Sequence, residues 1–427
     1  MRSNPGTEML GVHRDADAAR AWDIKLGHLQ AFTQVAVAGS VTRAAKALFR
    51  VASAVTRSIS ELEHSLGAPL FERKARGMLL NVYGEAVRRR AARIDEEIAE
   101  ACSDMAEAGS RIDAQTLSGA MFNGRRLAAF ASLAELHNMP AVAHAFGITQ
   151  PTISASIKAL EDRIGVALFE RSARGVMPTQ AGAALAIRFR RVLAELRTIG
   201  ADIAAIEGTL TGRVTIGALP LGRTLVLPLA IASLAARHPM IRVSTVESPY
   251  EVLAASLSSG DIDLILGSLR PSHATRGFVQ EALFDDCISI IVRAGHPLTR
   301  KKRIGFDDLH RAKWVLVRSG TPARNLLELS FRESGQPPPL PAVETSDLAI
   351  LRGLLLHSDM VTAISAHQLH FEIQGGALVV LPFPLDKTDR QIGVTYRAGA
   401  LLSPGALALL EEIRRAVREH IPTRRRG

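Results

Sequence analysis

The residues best suited to chemistry lie together in Thr149–Lys158, TQPTISASIK, where Thr149, Gln150, Pro151, Thr152, Ser154 and Lys158 crowd small polar groups into one stretch. An amide, hydroxyls and one ammonium on a slim helix face suit the major groove of duplex DNA, where glutamine pairs with adenine and hydroxyls bond either kind of base edge. Such a face requires the stretch to be helical. Ile153, Ile157, Leu160 and Ile164 recur at helical spacing and give the opposite face to a core. Thr149 stands where an N-cap belongs, Pro151 occupies the first turn, where a missing N–H costs little, and Gly165 ends the run. Upstream, Ala141, Val142, Ala145 and Phe146 form a shorter apolar stripe closed by Gly147, with Ile148 plugging the turn. Downstream, Val166–Arg171 and Val176–Thr179 read as short strands around the turn Ser172-Ala173-Arg174-Gly175. Arg171 and Arg174 on such a wing can lie on phosphates or in the minor groove. Helix, turn, helix and wing over residues 139–182 make a winged helix-turn-helix.

The same residues resemble the DNA-binding domain of LysR-type transcriptional regulators, whose pattern runs SQPxxSxxIxxLExxLGxxLFxRxxRGxxxTxAG. Thr149-Gln150-Pro151, Ser154, Ile157, Leu160-Glu161, Gly165, Leu168-Phe169-Glu170-Arg171, Arg174-Gly175 and Thr179-Gln180-Ala181-Gly182 all fit it. One position departs: after Ser154 the family often has arginine and this chain has Ala155, so one expected DNA contact is missing. The resemblance implies a regulator whose partner is double-stranded DNA.

The motif occurs twice. Leu29, Ala31 and Phe32 recur as Leu127, Ala129 and Phe130, and the LFER of Leu70–Arg73 recurs at Leu168–Arg171, 98 positions later. The register holds without a gap to Gly84 and Gly182, with about a third of positions identical, as expected of a duplication. The first copy keeps Gly39-Ser40-Val41-Thr42-Arg43-Ala44-Ala45 at the entry to its second helix, with Ser40 or Thr42 as cap, where the second has His137-Asn138-Met139-Pro140. Its recognition helix opens on Arg50-Val51-Ala52-Ser53, losing the cap and the glutamine, while Arg57 keeps an arginine. Between Arg43 and Arg93, eleven Lys and Arg stand against four Glu, an excess that favours phosphate. Two readings of this copy stand: a domain retained for packing, or one gripping phosphate through Arg50, Arg57, Arg73, Lys74 and Arg76. Base reading falls to the second copy. Arg88-Arg89-Arg90 reads as a solvated face or as part of the DNA lining. Ala108–Asn123, with Gly109, Gly119 and Gly124 nearby, reads as a long flexible tether.

A helical connector follows each copy. Val87, Ala91, Ile94, Ile98, Ala101, Met105 and Ala108 alternate spacings of 4 and 3, and so do Leu185, Phe189, Val192, Leu196, Ile199, Ile203, Ile206 and Leu210. Both are coiled-coil seams. The second, with larger side chains, is assigned to self-association through Leu185, Phe189, Val192, Leu196, Ile199, Ile203 and Ile206, as a dimer or tetramer, with burial inside the monomer as the other reading. The alanine-rich first seam is expected to pack on its own domain.

From Thr211 strands and helices alternate, with strands at Gly212–Ala218, Ile241–Glu247 and Asp261–Gly267 and helices at Leu225–Arg237 and Val252–Leu257, an α/β pattern. This part resembles the effector-binding half of the same family, a two-lobed fold like type II periplasmic binding proteins, with His296-Pro297-Leu298 and Ser403-Pro404 as further landmarks. Ligands of such sheets sit at the carboxyl ends of strands. That places Leu219, Pro220 and Arg223, then Pro249, then Ser268 and Arg270, then Ser319 and Thr321 around the effector. Arg223 and Arg270 favour an unidentified small-molecule anion; the other reading makes each a surface arginine. Three tyrosines and two tryptophans leave an aromatic cage poorly supplied.

Composition bounds the remaining possibilities. The chain has 427 residues and a net charge of +10, so several domains and a polyanionic partner are both accommodated. Cys102 and Cys287 alone support neither a disulfide framework nor a cysteine-rich metal site, which fits a reducing cytoplasm. No export segment or membrane-length apolar run is read, so the expected location is cytoplasmic with no membrane partner. Hydrolase, zincin, P-loop and dinucleotide motifs are missing, the thirteen histidines are scattered, and Asp285-Asp286 point to opposite faces of a strand. No catalytic residue, metal or cofactor is assigned, and an enzyme is not expected. The expected class is multidomain: two all-α/winged helix-turn-helix domains with helical linkers, then a two-lobed α/β domain. Its divisions are a flexible lead (1–25), first winged helix (26–84), connector (85–123), second winged helix (124–182), coiled-coil helix (183–210), effector domain (211–420) and basic tail (421–427). The function read is effector-responsive, sequence-specific transcriptional regulation. An architectural DNA-binding protein would leave the α/β half unexplained, and a cytoplasmic solute-binding protein would leave the two winged helices unexplained.

Overall fold

The computed structural model describes residues 24–74, 77–120, 124–172 and 175–421. Arg76, Arg174, almost all of the expected lead and all but the first residue of the basic tail lie outside the described residues. The first winged helix comprises α1 (Leu26–Ala38), α2 (Val41–Ala47), α3 (Ala52–Leu66) and the hairpin β1 (Phe71–Lys74) and β2 (Gly77–Leu80). Helix α4 (Val82–Glu107) follows, then a short α5 (Ala114–Ala120). The second copy repeats the order as α6 (Gly124–Leu136), α7 (Met139–Phe146), α8 (Gln150–Ile164), β3 (Phe169–Ser172), β4 (Gly175–Pro178) and the long α9 (Gln180–Ile206).

Local chemistry explains why the copies fold alike. Glu63 and Glu161, equivalent in the repeat, accept from the backbone N–H of Leu70 at 2.7 Å and of Leu168 at 2.8 Å, pinning each wing to its recognition helix. A Cβ on Gly84 would sit 2.2 Å from the Leu70 carbonyl oxygen, and one on Gly182 would sit 1.9 Å from that of Leu168, so both copies need glycine where the connector crosses the wing. Entry to the middle helix differs from expectation. Asn138 caps α7 by accepting from Ala141 N–H at 3.0 Å, with Pro140 in the first turn, whereas Ser40 makes no side-chain bond to α2. The better-capped entry therefore belongs to the second copy.

Helices α4 and α9 pack on each other along their lengths, and this corrects the seam assigned to self-association. Leu185, Phe189, Val192, Leu196, Ile199 and Ile203 are buried within the chain, in one cluster with Val87, Ala91, Ile94, Ile98, Ala101 and Met105. Each stripe completes the other, so the apolar surface expected to drive association between chains is already removed from water; Ile206 alone of the seven stays exposed. The presumed tether is also corrected. Leu117 of α5 is fully buried and Ser110 donates its hydroxyl to the Ile164 carbonyl at the end of α8, so residues 108–120 of this connection are docked between the winged helices.

The remaining residues form two lobes. In the first, β5 (Gly212–Ala218), β6 (Ile241–Val246), β7 (Leu264–Ser268), β14 (Arg390–Arg397) and β8 (Phe278–Asp286) form a sheet of order β6-β5-β7-β14-β8. It is covered by α10 (Val226–Arg237), α11 (Tyr250–Ser259) and α16 (Pro404–His420). The second sheet has order β11-β10-β12-β9-β13, from β9 (Ile288–Arg293), β10 (Lys313–Leu316), β11 (Pro341–Glu344), β12 (Met360–Ser365) and β13 (Leu378–Val380). Helices α12 (Phe306–Arg311), α13 (Pro322–Glu333), α14 (Leu348–His357) and α15 (His370–Gln374) belong to it. The chain crosses between lobes twice, at Asp286–Ile288 and between β13 and β14. Among the described residues no helix is long and apolar enough to cross a membrane.

Candidate DNA-binding surface and effector cleft

Ile153, Ile157, Leu160 and Ile164 anchor α8 in the core and turn its other face outward. Gln150, Pro151, Thr152 and Lys158 are exposed on that face, with Ser154 half-buried beside them. Thr149 holds the helix start: its hydroxyl lies 2.8 Å from the Thr152 hydroxyl and accepts the Thr152 N–H at 3.4 Å. Arg171 projects from β3 at an exposed position. The corresponding face of α3 carries Ala52, Ser53, Ala54, Thr56 and Arg57, all exposed, with Val55 and Ile59 buried behind. Arg57 bonds Glu61 on its own helix at 2.8 Å, and that bond holds the Glu61 carboxyl below its ordinary pKa. Arg73 falls in β1.

Between the winged helices lies a network that the motifs did not reveal. Arg90, read as solvated or DNA-facing, is buried: it donates to Asp202 at 2.6 Å, to Glu195 at 2.8 Å and to the Leu401 carbonyl at 2.5 Å. Burial pulls its pKa down, but bonding to Asp202 and the field of Asp202 and Glu195 more than offset this and hold the charge. Arg188 donates to Asp104 at 2.8 Å and to Glu97 at 3.1 Å. These contacts exchange under the 98-residue offset: Arg90, Asp202 and Glu195 correspond to Arg188, Asp104 and Glu97. An antiparallel pair related by an internal two-fold is the result. The signal was present in the sequence, because the repeat continues past Gly84 through Arg90/Arg188, Arg93/Arg191, Glu97/Glu195 and Asp104/Asp202.

The effector domain closes on the same network. Arg397, the last residue of β14, donates to Glu97 at 3.1 Å and approaches Glu195 at 3.7 Å, and Arg191 of α9 donates to the Ser258 carbonyl at 2.7 Å.

Of the residues placed at the cleft, Arg270 is the best framed. Its guanidinium carbon lies 4.4 Å from the centroid of the Tyr250 ring, and Gln280 clamps its backbone by accepting its N–H and donating to its carbonyl, both at 2.8 Å. Burial lowers its pKa, and the Tyr250 hydroxyl beneath is buried without a hydrogen-bond partner among the described residues. Ser268 is half-buried at the end of β7; Pro220, Arg223, Pro249 and Ser319 are exposed; Thr321 is half-buried and donates to the Arg318 carbonyl. Leu219 is corrected: it packs with Tyr250, Leu253 and Ile265 in the lobe core, because the end of a strand fixes position along the chain and not the turn of the side chain. The lobes meet where the Thr224 hydroxyl donates to the His367 carbonyl at 3.2 Å and the His367 ring meets Phe284 edge-on. At the crossover Arg390 and Ser365 both donate to Asp286, at 2.9 and 2.6 Å.

Comparison with known proteins agrees with this division of labour. The family profile described as LysR substrate binding domain matches residues 207–418, and that of bacterial regulatory helix-turn-helix proteins of the lysR family matches twice, at 26–85 and 125–183. The HTH-type transcriptional regulator GalR of Pseudomonas putida is 44% identical over 400 residues, covering 93% of this chain and 99% of its own length. The DNA-binding transcriptional dual regulator OxyR of Escherichia coli is 30% identical over 70% of this chain and 97% of its own length. A solved full-length OxyR variant from Pseudomonas aeruginosa superposes with a TM-score of 0.51 at 24% identity, over 70% of this chain and 95% of that one, a likeness of fold. The GalR alignment, over 93% of this chain, is long enough to include both winged helices, whereas the OxyR alignment, over 70%, is not.

Proposed function

The chain belongs to the LysR family of bacterial transcriptional regulators, DNA-binding proteins that respond to a ligand, and we propose that it reads its operator through α8 and senses a small anion at Arg270. The observation that carries the DNA half is the exposed, Thr149-capped start of α8, with Gln150, Thr152 and Lys158 presented from a rigid buried face. A glutamine there has the geometry for one adenine, while Arg171 on the wing supplies charge for the backbone. Gln150→Ala is expected to weaken binding to the operator by about 1–3 kcal/mol and to leave the salt dependence nearly unchanged, because a base contact and no phosphate contact is removed. An unchanged footprint overturns the assignment.

The effector half rests on Arg270. A guanidinium stacked on Tyr250, gripped through its own backbone and partly withdrawn from water offers a preorganised fork to a carboxylate or phosphate. Screening small carboxylates and phosphates for a rise in melting temperature tests this. The wild-type chain should gain stability with an anionic ligand, and Arg270→Ala should lose that gain while folding normally. A ligand that stabilises both equally places the site elsewhere.

A further inference from the structure

We propose that one chain, by itself, supplies both winged helices that grip a DNA site, and that the site is unequal: one half read for sequence under α8, the other held by its backbone under α3. The inference rests on the reading that this protein binds specific DNA.

Three observations carry it. First, the surface by which such a helix would pair with a second chain is already filled. The apolar stripes of α4 and α9 lie in one cluster, and their charged residues are joined by Arg90 to Asp202 and Glu195 and by Arg188 to Asp104 and Glu97. Second, these bonds exchange under the repeat offset, so the copies are related as two subunits of a two-fold dimer would be. A two-fold protein with two recognition helices meets two half-sites spaced by a helical turn or a multiple of one. Third, the link between the copies is docked over its described residues, 108–120. Leu117 is buried and Ser110 is bonded to the end of α8, so the first copy is fixed beside the second and does not swing on a tether.

Inequality follows from what the recognition helices carry. Gln150, Thr152, Ser154 and Lys158 on α8 are replaced at the equivalent positions of α3 by Ala52, Ala54, Thr56 and Ser60. The long donor of α3 is Arg57, engaged by Glu61 at 2.8 Å and exposed, a group that phosphate can take over. With alanines where bases would be read, the α3 half contributes affinity through charge and little sequence preference.

The experiment is selection of bound sequences from random duplexes by the full-length chain, followed by native mass spectrometry on the shortest selected duplex that still binds. Counting duplexes per chain is independent of how the effector domains associate. The expected result is one duplex per chain and a lopsided motif, with strong base preference in one half only. Gln150→Ala should lower affinity for that motif on the order of 10- to 100-fold. Arg57→Ala should weaken binding to all duplexes and reduce the slope of log affinity against log salt by about one. Both positions are exposed, so the fold is retained. A palindromic motif with equal information in both halves, or one duplex per two chains, overturns the proposal, because the recognition helices then pair between chains. Recovery of no preferred sequence overturns the DNA reading beneath it, a distinguishable failure.

Discussion

His367 illustrates how far a single residue ties the lobes together. Its carbonyl accepts from Thr224 and its ring meets Phe284, both in the first lobe, while its own backbone belongs to the second. Burial lowers its pKa from the ordinary 6.5 against the opposing pull of Asp286. The sign of the pH effect follows. Above pH 6.5 the ring is neutral in folded and unfolded chains and the contact contributes in full; below it the unfolded chain takes the proton first, so stability falls as pH falls toward the folded value. His367 therefore contributes a loss of stability between pH 7 and pH 5.5, set against Asp95, whose carboxyl burial raises to about 6 and which stabilises the folded chain as pH falls through that value. His367→Phe keeps the ring contact and should remove the His367 contribution, changing the slope of melting temperature against pH relative to wild type; His28, also lowered by burial, and Asp95 contribute equally to both chains. An unaltered slope in the variant would remove His367 from the linkage.

At the level of elements, legibility divides by how local the signal is. The recognition helix could be read because a capping threonine, a first-turn proline and a terminal glycine are contiguous with the stripe they delimit. The partner of α9 could not be read from its stripe, since a heptad states that a helix buries one side and not which helix covers it. Arg90 looked solvated within a triple-arginine run; only its alignment with Arg188, and of Asp104 with Asp202, pointed to reciprocal pairing. One cleft assignment had the same weakness: strand ends name Arg270 and Leu219 alike, and the Leu219 side chain turns into the core. The corrected packing makes a different prediction from an intermolecular seam. Ile199→Glu should put a charge into the α4–α9 core, lowering stability by several kcal/mol without changing the number of chains in whatever remains folded. Arg90→Met should cost up to about 3–5 kcal/mol by taking the hydrogen-bonded cation from buried Glu195, which keeps only Arg397 at 3.7 Å and the field of Arg93, and from half-buried Asp202. Denaturant unfolding with sedimentation measures both, and dissociation of intact subunits by Ile199→Glu would restore the intermolecular seam.

Across the whole molecule, β14 connects the two functions physically. It begins at Arg390, bonded to Asp286 where the chain crosses between lobes, and ends at Arg397, bonded to Glu97 beside Glu195 between the DNA-binding copies. A strand paired on both sides, with β7 and β8, is a stiff element. A change in lobe angle at its first residue is thereby expected to move its last against the α4–α9 pair, where Arg397 meets Glu97 and Glu195, residues equivalent in the repeat, and so to act on both winged helices. Coupling of this kind is worth about 1–3 kcal/mol, a roughly 5- to 150-fold change in DNA affinity on binding effector. Arg397→Gln removes the charge while keeping a donor, and Arg90, Arg93, Arg188 and Arg191 remain to neutralise Glu97 and Glu195. Its DNA affinity without effector should stay within a few-fold of wild type, and its melting-temperature gain with effector should persist, since the cleft is intact. The effector-induced change in DNA affinity should shrink toward none. Loss of effector binding itself would place Arg397 in the stability of the cleft, and an undiminished response would route the coupling through Arg191 and Ser258 instead.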